Sequence, residues 1–106
     1  MKLEEEPEAI CRAQAGDEEA FVRLLARYRP ARRQISRRYF LPGGERDDLF
    51  QEATIGFWKA IRDYRPETRV PFEHFVDLCV DRQLITAIQD GNANEARGAE
   101  RSGVVG

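Results

Sequence analysis

The sequence predicts an all-α fold, a compact bundle of about four helices followed by a disordered C-terminal tail. Three observations lead to this prediction. Apolar residues recur at helical spacing, whereas the alternating β-branched runs that mark strands are absent. Proline, glycine and acidic residues stand where helices begin and end. The last residues combine glycine, alanine, asparagine and charge, with little to bury.

The length and composition indicate one domain, which we place at residues 1–90, with the disordered tail at 91–106. The formal net charge of -2 argues against a uniformly basic coat for nucleic acid, although local patches remain compatible with it. Cys11 and Cys79 form no C-x-x-C pair, so we expect a reducing cytoplasm. The acidic residues 1–8 lack the apolar run of a signal peptide, and no stretch is long enough to cross a bilayer, so we expect no membrane partner.

The first half of the chain is divided by helix-starting and helix-ending residues. Pro7 to Ala15 is predicted as a short helix that Gly16 caps, and Asp17 can cap the helix that follows. Pro30 should kink or break that second helix, and the Pro42-Gly43-Gly44 turn should end it. The second helix carries six apolar residues at helical spacing: Phe21, Leu24, Leu25, Tyr28, Ile35 and Tyr39.

The segment from Glu45 to Tyr64 is predicted as one helix with two different faces. On a helical wheel, the side expected to face the core holds Leu49, Ala53, Gly56, Phe57, Ala60, Ile61 and Tyr64. The opposite side holds Asp48, Gln51, Glu52, Ile55, Trp58, Lys59 and Arg62. A tryptophan among acids and amides has the composition of an interface hot spot. The alternative is that Trp58 packs on another part of the domain, and spacing alone leaves both alternatives open.

A last helix is predicted from Pro71 to about Asp90, after a loop at residues 65–68, and Gly91 should stop it. Its broad apolar side holds Phe72, Phe75, Val76, Cys79, Val80, Leu84, Ala87 and Ile88. A second side could meet a ligand and holds Leu78, Arg82, Ile85, Thr86 and Gln89.

Three aromatic residues should cluster where the chain folds back between the last two helices. Tyr64 ends one helix, and Phe72 and Phe75 begin the next. Aromatic platforms beside arginines stack unpaired bases, at roughly 1–3 kcal/mol per base. The alternative, which the sequence favours, is that all three rings belong to an ordinary core.

Seven arginines and no acid lie between residues 23 and 38. They are Arg23, Arg27, Arg29, Arg32, Arg33, Arg37 and Arg38. Such a stripe can hold phosphates. Because the whole chain is slightly acidic, we favour for most of them a solvated face that pairs with acids of the first and third helices.

No pattern in the sequence indicates catalysis. His74, the single histidine, does not stand in H-E-x-x-H or E-x-x-H spacing, so we expect no metal site. A G-x-S-x-G motif and a phosphate-binding loop are absent, and the acids Asp47, Asp48 and Glu52 stand in the first turns of a helix, where acids are favoured anyway. We therefore expect a binding protein with no catalytic residues and no cofactor.

Two segments of the chain carry a resemblance to a known family. They are the run D-D-L-F-Q-E-A-T-I-G-F-W-K-A-I at residues 47–61, preceded by Y-F-L at 39–41, and the segment 72–88 with R-Q-L-I-T-A-I at its end. The chain resembles region two of bacterial sigma-70 family transcription initiation factors, most closely the sigma-H group. The resemblance runs from about residue 9 to residue 88. It implies a transcription initiation factor domain that acts in the cytoplasm.

The resemblance implies a docking role for the two-faced helix. In the family, the helix with D-L-x-Q-E docks on a coiled coil in the largest-subunit clamp of core RNA polymerase. By position, the contacts here would be Asp48, Gln51, Glu52, Thr54 and Trp58. An acid and amide set around an apolar anchor suits a basic coiled coil. Most of these positions also lie on the face that the wheel assigns to a partner.

The resemblance also implies contacts with promoter DNA. The family opens the minus-ten element and captures a flipped base of the non-template strand on aromatic residues, which must offset a few kcal/mol for base extrusion. The matching capture positions are Tyr64 and Phe75. The positions that match the upstream-reading edge are Leu78, Arg82, Ile85 and Thr86.

The chain departs from the family pattern in two ways. Family members continue past the last helix with a basic stretch that holds DNA phosphates, whereas Gln-Asp-Gly-Asn stands here at residues 89–92. A chain of this length also leaves no room for the region four domain, which reads the minus-thirty-five element. An alternative function is therefore a sigma-like decoy that occupies polymerase, or titrates an anti-sigma factor, without initiating transcription. An excised domain, a truncated product and a natural short protein all fit the sequence.

Overall fold

The computed structural model describes residues 5–39 and 46–89, with side chains from residue 48 onward in the second range. All regular structure in these residues is helical, as predicted. It consists of α1 (Glu6–Gln14), α2 (Glu18–Arg27), α3 (Arg29–Ser36), α4 (Arg46–Asp63), a 3-10 turn (Pro66–Thr68) and α5 (Phe72–Gln89). The predicted turn at residues 42–44 and the predicted tail at 91–106 lie outside the described residues.

The turn between α1 and α2 follows the predicted capping pattern. Gly16 has a φ of 102°, a left-handed conformation that glycine adopts without steric cost. The Asp17 carboxylate accepts hydrogen bonds from the backbone N–H groups of Glu19 at 3.0 Å and Ala20 at 3.2 Å. These bonds satisfy two of the N–H groups that a helix leaves unpaired at its start. The chain reverses here, and α1 packs against α2.

The predicted break near Pro30 separates α2 from α3. Helix α2 ends at Arg27, and α3 begins at Arg29 with Pro30 in its first turn. Proline lacks an N–H and cannot stand in a helix interior, but it fits a first turn, where that donor would be unpaired. Tyr28 forms the junction with φ -99° and ψ 12°, and its side chain is buried. The bundle therefore has five α-helices in the described residues, one more than the sequence predicted.

Helices α4 and α5 form an antiparallel pair that approaches closely at Gly56. A Cβ added at Gly56 would lie 2.9 Å from the Cα of Val80 and 3.1 Å from the carbonyl oxygen of Cys79. The neighbouring small residues Ala53 and Ala60 are fully buried on the same side. The core face predicted for this helix is thus confirmed, and small residues set the distance between the two helices.

The core joins α4 and α5 to the N-terminal helices through aromatic rings. Tyr28 lies 5.4 Å from Phe57 and 5.4 Å from Phe72, centroid to centroid, and the two phenylalanines are 6.2 Å apart. Such tilted and edge-on pairs stabilise a core beyond the area that they bury. In the part of the chain that the structure describes, no helix combines the length and the apolar character that crossing a membrane requires.

Two polar side chains of α1 form hydrogen bonds with the rest of the bundle. At its start, the buried Glu6 carboxylate accepts hydrogen bonds from the Tyr28 hydroxyl at 2.8 Å and from Arg27 Nε at 2.9 Å. At its end, Gln14 Nε2 donates to the carbonyl oxygens of Ile61 at 3.0 Å and Tyr64 at 2.8 Å. Burial and the Glu6 carboxylate raise the pKa of Tyr28, so its hydroxyl remains a donor.

Candidate functional site

The outer face of α4 presents apolar side chains among polar ones. Ile55 keeps 42% and Trp58 47% of its surface exposed, and Gln51, one turn before Ile55, is exposed as well. The predicted contacts Asp48 and Glu52 are half-buried on the same helix. This arrangement gives α4 an apolar centre with a polar rim, which is how interface hot spots are built.

Trp58 is partly packed on its own domain, as one of the two alternatives expected, and the interface alternative stays a prediction for the exposed part of its ring. The Arg62 guanidinium lies over its ring, 4.9 Å from the centroid. The ring also borders a shallow depression of about 300 Å³ between α4 and the α1–α2 turn, to which Gln14 and Phe21 contribute. The buried part of the ring fixes its position, and the open part is available to a partner.

Glu52 is held in place by α5. Its Oε1 accepts a hydrogen bond from Gln83 Nε2 at 2.8 Å, and the Gln83 Oε1 in turn accepts one from Lys59 Nζ at 2.8 Å. The three side chains form a hydrogen-bonded row across the contact between α4 and α5. Because one bonded neighbour fixes the carboxylate, less side-chain entropy is lost when it meets a partner.

Thr54 differs from the other predicted polymerase contacts because its hydroxyl is used inside the protein. The hydroxyl accepts a hydrogen bond from Arg32 Nη1 at 2.6 Å and donates one to the carbonyl oxygen of Phe50 at 3.0 Å. Its side chain is half-buried. Thr54 therefore contacts α3. Gln51 and Trp58, by contrast, are exposed on α4, and Asp48 is half-buried.

Arg32 is buried, with 4% of its surface exposed, although it carries a charge. Its Nη2 donates to the carbonyl oxygen of Leu25 at 2.7 Å, its Nη1 donates to Thr54, and its Nε has no hydrogen-bond partner within the described residues. The guanidinium lies 5.0 Å from the ring centroid of Phe50 and 5.7 Å from that of Phe57. Burial lowers the pKa of Arg32, and two neighbouring arginines lower it further.

The predicted aromatic edge forms where α4 turns into α5. The Tyr64 ring lies 5.0 Å from Phe72 and 5.5 Å from Phe75, centroid to centroid. Phe72 is buried, whereas Tyr64 and Phe75 are half-buried. The Tyr64 hydroxyl donates to the carbonyl oxygen of Val70 in the connecting loop. Phe72 is thus a core residue, and the two residues that the resemblance assigns to base capture keep part of their rings accessible.

The predicted second side of α5 is exposed along its length. Leu78, Arg82, Ile85 and Thr86 are all exposed. The spacing of Phe75, Leu78, Arg82 and Ile85 is three, four and three residues, so these side chains follow one stripe of the helix. The stripe continues from the aromatic edge, so the structure brings the predicted DNA contacts onto one continuous surface.

The seven arginines fall into three classes. Arg23 is 4.0 Å from Glu19, Arg27 is 2.9 Å from Glu6, and Arg38 is 3.7 Å from Asp81. Arg32 is the buried one. The last three are exposed and pair with no acid in the described residues: Arg29, Arg33 and Arg37. Three of the seven thus pair with acids in the described residues, but only Arg27 pairs with one of the two predicted helices, the first, because Glu19 lies on α2 itself and Asp81 lies on α5. The predicted pairing of most of them with the first and third helices is therefore wrong for the described residues.

Comparison with known proteins decides the family. The family model described as Sigma-70 region 2 matches residues 24–93. This chain belongs to the sigma-70 region 2 family. The sigma-H factor of RNA polymerase from Bacillus subtilis (strain 168) is 40% identical over 85 residues, which are 80% of this chain and 39% of that protein.

Two further relatives agree with this membership. The RNA polymerase sigma-H factor of Bacillus licheniformis is 41% identical over 85 residues, 80% of this chain and 38% of the relative. The RNA polymerase sigma factor CnrH of Cupriavidus metallidurans is 34% identical over 65 residues, 59% of this chain and 34% of the relative. The chain spans about two fifths of the length of the sigma-H relatives that it matches.

The region 2 match begins inside α2, so α1 lies before it. Two residues of α1 nevertheless hold parts of the site. Gln14 binds the carbonyl of Tyr64, and Glu6 binds Tyr28, whose ring packs on Phe72 beneath the aromatic edge. Neither contact could be read from spacing, because the partners lie 50 and 22 residues away in the chain.

The described residues contain no group of three or more histidine, cysteine or acidic side chains placed to hold a metal ion. His74 is exposed on α5. Cys79 is half-buried on the same helix, and burial raises the pKa of its thiol.

Proposed function

We propose that this chain acts in transcription initiation as region two of a sigma factor. The outer face of α4 docks on core RNA polymerase, at the clamp coiled coil of the largest subunit. The aromatic edge and the α5 stripe bind the non-template strand of the promoter minus-ten element. Membership of the sigma-70 region 2 family and the sigma-factor names of the relatives support this proposal.

The observation that carries the docking proposal is the exposure of Trp58 and Ile55 on the outer face of α4. An apolar side chain costs free energy while it stays in water, about 25 cal/mol for each Å² that a partner could cover. Gln51 and Glu52 stand beside these two residues and can pair with donors of a basic partner. A hydrophobic anchor with an acidic and amide rim fits the coiled coil that the resemblance implies.

The DNA part of the proposal is supported by the continuity between the aromatic edge and α5. The half-buried rings of Tyr64 and Phe75 offer accessible π-faces, on which an unpaired base can stack. Arg82 lies further along the stripe and can contact a phosphate or a base edge. A strand could thus keep its base on the rings while its upstream neighbours lie along α5.

The docking face is tested by measuring the affinity of the chain for a purified clamp coiled coil. The double variant Gln51→Ala with Glu52→Ala should weaken binding by about tenfold or more, since interface hot spots cost more than 1–2 kcal/mol. Gln83→Ala is the first control, because it keeps the Glu52 carboxylate but removes the hydrogen bond that fixes it, so binding should weaken less than in the double variant. Val22→Ala on α2 is the second, because it truncates an exposed apolar residue elsewhere. Unchanged binding of the double variant would refute the assigned face.

The decoy remains the second candidate, favoured by the sequence after α5. Residues 89–92 read Gln-Asp-Gly-Asn, where family members carry a basic stretch. A decoy would bind the clamp, or an anti-sigma factor, without supporting initiation. Run-off transcription with core enzyme separates the two functions, because specific initiation from a promoter excludes the decoy, and docking without initiation supports it.

A further inference from the structure

The exposed side of α3 carries a row of positive charges that the proposed function does not use. Arg29 and Arg33 are one helical turn apart, and Arg37 follows after one more turn. Four residues of helix advance by about 6 Å, so the three side chains form a row along the helix. In the described part of the chain none of the three pairs with an acid.

The ring of Phe50 holds the first two of these arginines in place. The guanidinium of Arg33 lies 4.7 Å from the ring centroid and that of Arg29 lies 5.6 Å away. A cation over an aromatic ring is attracted to it, and the contact restricts the long side chain. The arginines are therefore partly ordered before any ligand arrives, which lowers the entropy lost on binding.

The buried Arg32 adds to the positive potential of this surface. Its guanidinium lies 5.0 Å from the centroid of the same Phe50 ring, and its Nε has no hydrogen-bond partner among the described residues. The lowered pKa of Arg32 reflects burial first, and then the charges of Arg29 and Arg33. The like charges of these neighbouring arginines repel one another, and an anion bound over them would offset that repulsion.

We propose that Arg29, Arg33 and Arg37, with Phe50 as their support, form a track that binds the phosphates of a nucleic-acid strand. An arginine fork donates two parallel hydrogen bonds to a phosphate, which a lysine cannot do. The interval of one helical turn is comparable with the spacing of successive phosphates along an extended strand. The track reads no sequence, since phosphate contacts position a strand and do not specify it. It depends neither on docking by α4 nor on base capture at Tyr64.

The track is tested by the salt dependence of binding to a fluorescent oligothymidylate, followed by anisotropy. For single strands, the slope of log affinity against log salt is negative, and its magnitude falls by about 0.7 for each phosphate contact removed. The variant Arg29→Gln with Arg33→Gln should therefore reduce the magnitude of the slope by about 1.4, and Arg37→Gln alone should reduce it by about 0.7. Far-UV circular dichroism confirms that each variant remains folded. Arg37→Gln, which makes no contact with Phe50, keeps the test valid if the double variant does not fold.

The matched control is Arg12→Gln with Arg23→Gln, which removes the same charge from exposed arginines paired with Glu8 and Glu19. An equal loss of slope in the control would overturn the track, because diffuse charge would then explain binding. Tighter binding of the wild-type chain to an oligoglutamate peptide than to the oligonucleotide would also overturn it, in favour of an acidic protein. Tyr64→Ala should weaken binding without changing the slope, which separates base capture from phosphate contact.

Discussion

At the scale of single residues, Arg32 and Thr54 form an internal pair in which a buried charge depends on a small hydroxyl. The Thr54 hydroxyl accepts from the guanidinium at 2.6 Å, and the same hydroxyl donates to the Phe50 carbonyl at 3.0 Å. A buried cation without an acid is costly unless its donors are satisfied. Thr54 therefore has a structural role, as the acceptor for the buried Arg32, at a position that the resemblance assigns to polymerase contact.

Thr54→Val separates these two roles. The valine keeps the shape but removes the acceptor, so an Nη1 donor of Arg32 is left buried and unpaired. We expect the free energy of unfolding to fall by about 1–3 kcal/mol, the cost of an unsatisfied buried donor. Thr54→Ser keeps the hydroxyl and should stay close to wild type. Urea unfolding measures both variants, and affinity for the clamp coiled coil is measured beside it. Wild-type stability with weakened clamp binding would contradict the structural role.

At the scale of elements, the packing of α4 on α5 sets the geometry of both proposed surfaces. Tyr64 follows the end of α4, and Phe75 lies in the first turn of α5, so their separation depends on the distance between the two helices. The two helices approach closely at Gly56, where an added Cβ would meet the backbone of Val80 and Cys79. Backbone atoms cannot move aside as the end of a flexible side chain can, so a side-chain atom added at this position would push the two helices apart.

Gly56→Ala tests this approach. Alanine would favour the helix by up to about 1 kcal/mol. The added Cβ would lie 2.9 Å from the Val80 Cα, however, and would force α4 and α5 apart. We expect a net loss of about 1–2 kcal/mol in stability, since overpacking a close contact outweighs the propensity gain. Thermal unfolding measures this change in stability, with Gln51→Ala as the control at an exposed position of α4. A stabilised variant would show that the helices can separate without cost.

The elements were predictable from the sequence because helical patterns are local. Asp17 and Gly16 mark one helix boundary through their own capping chemistry, and the buried and open sides of α4 follow from its period. The pairing between helices is different, because it depends on tertiary geometry. Gln14 finds its acceptors 47 and 50 residues along the chain, and no spacing rule connects them. The sorting of seven similar arginines into paired, buried and free classes needed the packed structure for the same reason.

At the scale of the whole molecule, α1 packs on the rest of the bundle although the region 2 match starts after it, and we expect the two to unfold as one cooperative unit. Ile10 is 3% exposed and forms part of the core with Leu24 and Ile61. The Gln14 amide binds the last carbonyls of α4, which would otherwise be left to water. The aromatic contacts then continue from Tyr28 through Phe72 to the proposed base-capture edge.

Ile10→Ala tests whether the molecule is one unit. Removing buried methyl groups from a packed core should lower the free energy of unfolding by about 2–4 kcal/mol. Val22→Ala, at a position 58% exposed on α2, should change it by about 0.5 kcal/mol or less. Trp58, the single tryptophan, borders the α1–α2 turn, so its fluorescence reports the docking of α1, while circular dichroism reports all helices. Coincident urea transitions by the two probes in both variants indicate one unit, because a two-state protein loses all its structure together. A fluorescence transition at a lower urea concentration than the circular dichroism transition, in the Ile10 variant, would instead show that α1 detaches from a bundle that remains folded without it.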